Sequence, residues 1–126
     1  MIDRGRFEAA KREILVDGLA DWLMLVNVAD IARNAAASQD WRVWRDLSLE
    51  LLGELTAEGL VEIGSFTDNR GFRPWNVPFE KARERIVRDW EKVGADMTHG
   101  DICWVALTEE GHTLGERCEA EEPDED

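Results

Sequence analysis

The stretch LLGELTAEGLVEIG, residues 51–64, contains the change from helical to strand-like patterning that decides the fold. Leu51, Leu52 and Leu55 recur at the spacing of one helix face. Gly59 follows them, and a glycine at this place ends a helix in the left-handed conformation. The next residues, LVEI, alternate apolar and polar side chains as a half-buried strand does. The stretch therefore predicts a helix that ends near residue 58 and leads directly into a strand.

Two shorter helices are predicted before this one. Apolar residues at helical spacing indicate a helix over residues 3–19. The segment WLMLVN, residues 22–27, is either a short buried strand or the end of that first helix. Asn27 is expected to cap a second helix over 28–37, whose inward residues are Val28, Ile31 and Ala32. Ser38 or Asp40 is expected to cap the third helix.

The third helix, predicted over residues 41–58, has an apolar half and a polar half. The apolar half is expected to face the core and contains Val43, Trp44, Leu47, Leu51, Leu52 and Leu55. The polar half is expected to face solvent and contains Arg42, Arg45, Asp46, Glu50 and Glu54, with Leu49 and Gly53 among them.

The segments after this helix predict a loop, a helix, a strand and a last short helix. GSFTDNRGFRPWNVP, residues 64–78, has the glycine, Asp-Asn and prolines of a loop. FEKARERIVRDWEKV, residues 79–93, is an amphipathic helix ended by a glycine. ICWVAL, residues 102–107, suits a pleated strand. Thr108 is expected to cap a final helix over 109–118.

Three stretches together resemble the winged helix-turn-helix superfamily: VNVADIAR at 26–33, LSLELLGELTAEGLVEIG at 47–64, and WVALTEEGHTLGE at 104–116. The resemblance implies an α+β, mostly helical domain over residues 1–118. Its two-stranded wing would be interrupted by an extra helix, within an insertion at about 65–101. The length of 126 residues fits one domain.

The resemblance also implies that the third helix reads double-stranded DNA in the major groove. The matching positions are Trp41, Arg42, Arg45, Asp46, Leu49 and Glu50. Within the insertion, Arg70 and Arg73 with Phe72 and Trp75 form a basic-aromatic cluster that would stand in for the tip of the wing. The alternative interpretation of this cluster is a surface loop whose aromatic side chains fold onto the core.

The charge of the chain opposes nucleic-acid binding. The formal net charge is −13. Six acids lie in the segment EAEEPDED, residues 119–126, which is predicted to be a disordered acidic tail. Without it, 22 acids against 15 bases leave −7. A negative field of this kind repels phosphate backbones and favours basic partners.

The sequence predicts no enzyme, no cofactor and no metal site. His99 and Cys103 are four residues apart with Asp101 between them, which is too few ligands at a set spacing for a metal. Glycine-rich phosphate loops and recognisable nucleophile motifs are absent from the sequence. The sequence has no signal peptide and no apolar run that spans a membrane, so we expect a cytoplasmic protein with free cysteines.

The six tryptophans divide into expected core and expected interface residues. Trp44, Trp90 and Trp104 lie on predicted inward faces. Trp41 and Trp75, with Phe72, are the candidates for a protein interface, where tryptophan is enriched.

Three functions follow from these observations. The first is an interaction or regulatory module that acts through protein contacts, as a homodimer or with a basic partner. The second is a DNA-binding transcriptional regulator. The third, weaker one is an acidic immunity or inhibitor protein for a basic toxin.

Overall fold

The computed structural model describes residues 2–67, 69–96 and 102–121. Within these residues the chain forms five α-helices and four strands. In chain order they are α1 (Arg4–Asp17), β1 (Leu23–Met24), α2 (Leu25–Ala36), α3 (Trp41–Ala57), β2 (Val61–Thr67), β3 (Gly71–Pro74), α4 (Phe79–Val93), β4 (Trp104–Leu107) and α5 (Glu109–Glu121). A short 3₁₀ turn, Gly94–Asp96, follows α4. The α+β class and its mostly helical content are as predicted. No helix among the described residues is long and apolar enough to cross a membrane.

The strands form one antiparallel sheet in the order β1-β4-β2-β3. β2 and β4, the strands predicted after α3 and at 102–107, pair with each other. The sequence placed residues 64–78 in a loop, which is wrong for much of that segment. β2 continues to Thr67, and the chain returns beside it as β3. The glycines and prolines at short intervals are typical of a loop, so the sequence did not indicate this hairpin. The cross-strand pair Phe66–Phe72 stabilises it.

The start of α2 shows why one capping prediction was wrong. β1 is the strand that the sequence left as one of two alternatives for WLMLVN, and α2 begins immediately after it. Asn27 therefore lies inside the helix, at its third position. From there its Oδ1 accepts a hydrogen bond from the Met24 N–H at 2.9 Å, which satisfies a donor at the helix start. Val28, Ile31 and Ala32 are buried, as predicted.

Helix α3 lies at the centre of the core. Asp40 caps it, because its carboxylate accepts a hydrogen bond from the Arg42 N–H at 3.0 Å. Leu51, Leu52 and Leu55 are fully buried. Gly59 has a φ of +74°, so the left-handed helix end is as predicted. Val43, predicted to face inward, is instead 39% exposed.

The segment Leu-Thr-x-x-Gly joins β4 to α5. The Thr108 hydroxyl accepts a hydrogen bond from the Gly111 N–H at 3.0 Å and donates one to the Gly59 carbonyl at 2.6 Å. It thus ties the start of α5 to the end of α3. Helix α5 runs to Glu121 and so includes the first three residues of the predicted acidic tail. Residues 122–126 of that tail lie outside the described residues.

Candidate interaction surface

Helix α4 lies antiparallel along one side of α3. At the start of α4, the ring of Phe79 approaches the middle of α3 so closely that a Cβ on Gly53 would lie 3.1 Å from it. At the other end, a Cβ on Gly94 would lie 3.6 Å from the ring of Trp41, in the first turn of α3. Phe79 and Trp41 both pack against the core. The insertion therefore covers one face of α3 along most of its length.

The covered face contains three of the predicted DNA-contacting residues. Trp41, Arg45 and Leu49 are spaced four residues apart and so lie on one side of α3. Leu49 is only 2% exposed, so its predicted place on the solvent-facing half is wrong. The Arg45 side chain is 16% exposed and lies 3.5 Å from the Glu91 carboxylate of α4. The sequence could not show this contact, because residues 45 and 91 are far apart in the chain.

The part of α3 that stays exposed has mixed charge. Arg42 is exposed, with its guanidinium over the Trp41 ring at 4.8 Å and 3.9 Å from the Asp40 carboxylate. Asp46 and Glu50 are also exposed. One base, which is already paired with a carboxylate, thus lies beside two further acids, and this balance of charge does not favour a phosphate backbone.

The predicted basic-aromatic cluster of the hairpin is divided between two faces of the sheet. Trp75 packs against the core, donates a hydrogen bond from Nε1 to the Ser65 hydroxyl at 2.8 Å, and has Arg85 over its ring at 4.0 Å. Phe72 lies on the opposite face, across from Phe66. Arg70 and Arg73 are exposed. The interpretation of aromatics folded onto the core therefore fits Trp75 and not Phe72.

The outer face of the sheet has a cluster of aromatic side chains, Trp22, Phe66, Phe72 and Trp104, which we name the aromatic patch. The strand register places Trp104 opposite Gly64, two residues from Phe66, and Phe66 opposite Phe72. The Phe66 ring lies 5.1 Å from that of Trp22 and 5.2 Å from that of Trp104. Trp22 is 43% exposed and Phe66 is 38% exposed. These rings form a continuous, solvent-accessible apolar surface.

Sequence reasoning missed most of this patch. Trp104 was predicted to be a core residue, but it is half-buried on the outer face because its neighbours Cys103 and Val105 point into the core. Successive side chains of a strand point to opposite faces, but all five residues of CWVAL are apolar, so the sequence did not show which face is buried. Trp22 and Phe66 were not recognised, since their approach depends on the pairing of β4 with both β1 and β2, which joins residues distant in sequence.

Two carboxylates lie beside the aromatic patch. Asp21 precedes Trp22, is exposed, and accepts a hydrogen bond from the Trp22 N–H at 2.7 Å. Glu62 is exposed on the outer face, in line with Gly64 and Phe66 along β2. The patch is therefore apolar at its centre with acidic side chains at its edge.

The described residues include a buried thiol, Cys103, and no cluster of metal-ligating side chains. Burial raises the pKa of the Cys103 thiol to about 12, so the thiol stays protonated at neutral pH and is a poor nucleophile. Among residues 2–67, 69–96 and 102–121, no three His, Cys, Asp or Glu side chains converge as a metal site would require. His99 and Asp101, which the sequence placed near Cys103, lie outside the described residues.

A cavity of about 290 Å³ lies between α2, α3 and the 3₁₀ turn, with Trp44 and Trp90 among its lining residues. Its polar groups are already paired within the protein. The Trp44 Nε1–H donates to the Ser38 carbonyl, and the Trp90 Nε1–H donates to the Gly94 carbonyl. Asp30 and Arg33 also line the cavity, and because both are exposed and form an ion pair of 3.4 Å, the cavity opens to solvent.

No protein-family model matches this chain, and comparisons with curated proteins and with solved structures likewise find no match.

Proposed function

We propose that this protein is a non-catalytic, winged-helix-like interaction module that binds a basic protein through the aromatic patch. The observation that carries the proposal is the contrast between two faces. Helix α4 covers the part of the α3 face that contains Arg45 and Leu49, whereas the outer face of the sheet leaves Trp22 and Phe66 substantially exposed. An exposed cluster of large apolar rings is costly in water unless a partner covers it.

The composition of the patch suits a protein interface. Tryptophan and phenylalanine are enriched in the buried centres of such interfaces, and a few of them supply most of the binding energy. The acidic edge and the net charge of −13 favour a partner of opposite charge and accelerate its approach. The same charge makes two copies of this chain repel each other, so a basic partner is favoured over a homodimer. A basic toxin, as in the immunity-type alternative, would be one such partner.

The order of elements supports the winged-helix part of the proposal. Helices α1, α2 and α3 precede β2, and β4 pairs with both β1 and β2. Strand β3 and helix α4 are additional elements inserted between β2 and β4. The DNA-binding alternative keeps some support from Arg42, Arg70 and Arg73, which are exposed. Arg45 and Leu49 do not support this alternative, because Arg45 is paired with Glu91 of α4 and Leu49 is buried.

Affinity capture with three forms of the full chain tests the proposal. The wild type is compared with a patch variant, Trp22→Ala plus Phe66→Ala, and with a control variant, Val77→Ala plus Val93→Ala. The control removes similarly exposed apolar side chains from a different surface. We expect at least one basic protein to be retained by the wild type and the control and lost by the patch variant. Equal retention of every captured protein by all three forms would contradict the proposal.

Binding to random double-stranded DNA tests the alternative. We expect the full chain, and a truncation that ends at Glu121, to show no affinity at low ionic strength. Binding that weakens steeply as salt is raised would indicate phosphate contacts. If Arg42→Ala reduced that binding and the patch variant did not, the DNA-reading function would replace the proposed one.

A further inference from the structure

We infer that the aromatic patch receives an arginine side chain of the basic partner. This inference rests on the proposed function and adds the chemistry of the group that is recognised. The patch differs from the other aromatic side chains of the same molecule in the absence of a nearby cation among the described residues.

Elsewhere in the structure, the chain's own arginines lie over the faces of its aromatic rings. Four rings are covered in this way, with guanidinium carbons 4.0–5.4 Å from the ring centroids. Each pair combines the apolar stacking of a planar guanidinium with its attraction to the negative face of the ring. The pairs are Arg4 over Phe7, Arg33 over Trp44, Arg42 and Arg45 over Trp41, and Arg85 over Trp75.

The aromatic patch differs from these four rings. In the part of the chain that the structure describes, no arginine or lysine lies over the rings of Trp22, Phe66 or Trp104. Trp90, the remaining tryptophan, is fully buried. The patch is thus a surface of solvent-accessible aromatic rings over which the described residues place no cation.

The carboxylates at the edge of the patch favour a cationic ligand over a neutral apolar one. Asp21 and Glu62 place two carboxylates beside the rings. The Asp21 carboxylate accepts one hydrogen bond, from the Trp22 N–H, and retains further acceptor positions. A guanidinium would stack on the rings and, at the same time, donate a hydrogen bond to a carboxylate. Lysine is less suited, because its ammonium is more strongly hydrated and lacks a planar face.

Two-dimensional ¹H–¹⁵N NMR of the full chain provides the test, since each of the six indole N–H groups gives its own signal. Trp22 and Trp104 report on the patch. Trp44, Trp75 and Trp90 serve as internal references, because their N–H groups are hydrogen-bonded within the protein. The probes are three short Gly/Ser peptides, each with the same two positions occupied by arginine, citrulline or leucine. Citrulline keeps the shape of arginine and removes its charge.

We expect the arginine peptide to shift the Trp22 and Trp104 signals and to bind roughly threefold or more tightly than the citrulline peptide. The variant Trp22→Leu plus Phe66→Leu keeps the surface apolar but removes two rings, and we expect it to abolish that preference. A citrulline or leucine peptide that binds as tightly as the arginine peptide overturns the inference. So does the absence of any shift at the patch. Neither result decides the proposed function, which the capture experiment tests separately.

Discussion

At the residue scale, the buried Lys11 of α1 forms ion pairs with two carboxylates near the end of α3. Its ammonium lies 2.8 Å from the Glu58 carboxylate and 3.1 Å from that of Glu54, both at the C-terminal end of α3. Burial alone lowers the pKa of Lys11, but the hydrogen bonds with these carboxylates outweigh it and raise the pKa. Arg4 adds two hydrogen bonds of 2.8 Å to Glu54. The first and third helices are thus joined by charge as well as by packing.

The Glu54→Gln substitution tests this network through its pH dependence. Hydrogen bonds from Arg4 and then Lys11 lower the pKa of Glu54 to about 2, from about 4.5. Because the folded-state pKa is the lower one, the stabilisation is complete above pH 4.5 and is lost as the pH falls towards 2. We expect Glu54→Gln to be less stable than the wild type at pH 7 and similar to it near pH 2.

Urea denaturation at several pH values measures this difference. Glu50→Gln is the matched control, because Glu50 is exposed on the same helix. It should have little effect at any of these pH values. A stability difference for Glu54→Gln that is the same at pH 7 and pH 2 would show that the ionised carboxylate is not its source.

At the scale of elements, Leu49 lies on the face of α3 that α4 covers, and its side chain is buried. We expect Leu49→Ala to reduce the free energy of unfolding by about 2–5 kcal/mol, as for a leucine removed from a packed core. Val43→Ala, which truncates an exposed residue of the same helix, should change it by less than about 0.5 kcal/mol. Denaturant titration of both variants provides the measurement. Equal effects would mean that α4 does not cover this face.

The hairpin of β2 and β3 depends on the absence of a side chain at Gly64. A Cβ at this position would overlap the backbone of Arg73 and Pro74 in the neighbouring strand. We expect Gly64→Ala to destabilise the protein by about 1–3 kcal/mol and to increase amide hydrogen exchange in β3. Glu62→Ala, an exposed change in the same strand, is the control. Unchanged exchange in β3 would show that the strand is not held where the structure places it.

The elements that the sequence predicted well are those with local signals. Helix α4 covers the predicted residues 79–93, and α3 starts at the predicted Trp41, because each has several turns of apolar periodicity and a recognisable end. Strand β3 is four residues long and interrupted in pattern by glycine and proline, so it left no such signal. The covered face of α3 and the aromatic patch depend on contacts between distant segments. Periodicity within one segment cannot show which of its faces a later segment will cover.

At the scale of the whole molecule, an exposed apolar patch is combined with a strong negative charge. The patch favours association, while the net charge of −13 keeps like molecules apart. Electrostatic repulsion is screened by salt, with a Debye length of about 10 Å at 0.1 M and about 3 Å at 1 M. The two effects can therefore be separated by changing the ionic strength without any partner present.

We expect sedimentation velocity to show a monomer at about 0.1 M salt and weak self-association at about 1 M salt, where the repulsion is screened. Trp22→Ala plus Phe66→Ala should remove the association at high salt, because these side chains supply much of the exposed apolar area. Val77→Ala plus Val93→Ala should leave it unchanged. A dimer that is already stable at low salt and is lost in the patch variant would favour a second copy of the chain, rather than a basic protein, as the natural occupant of the patch.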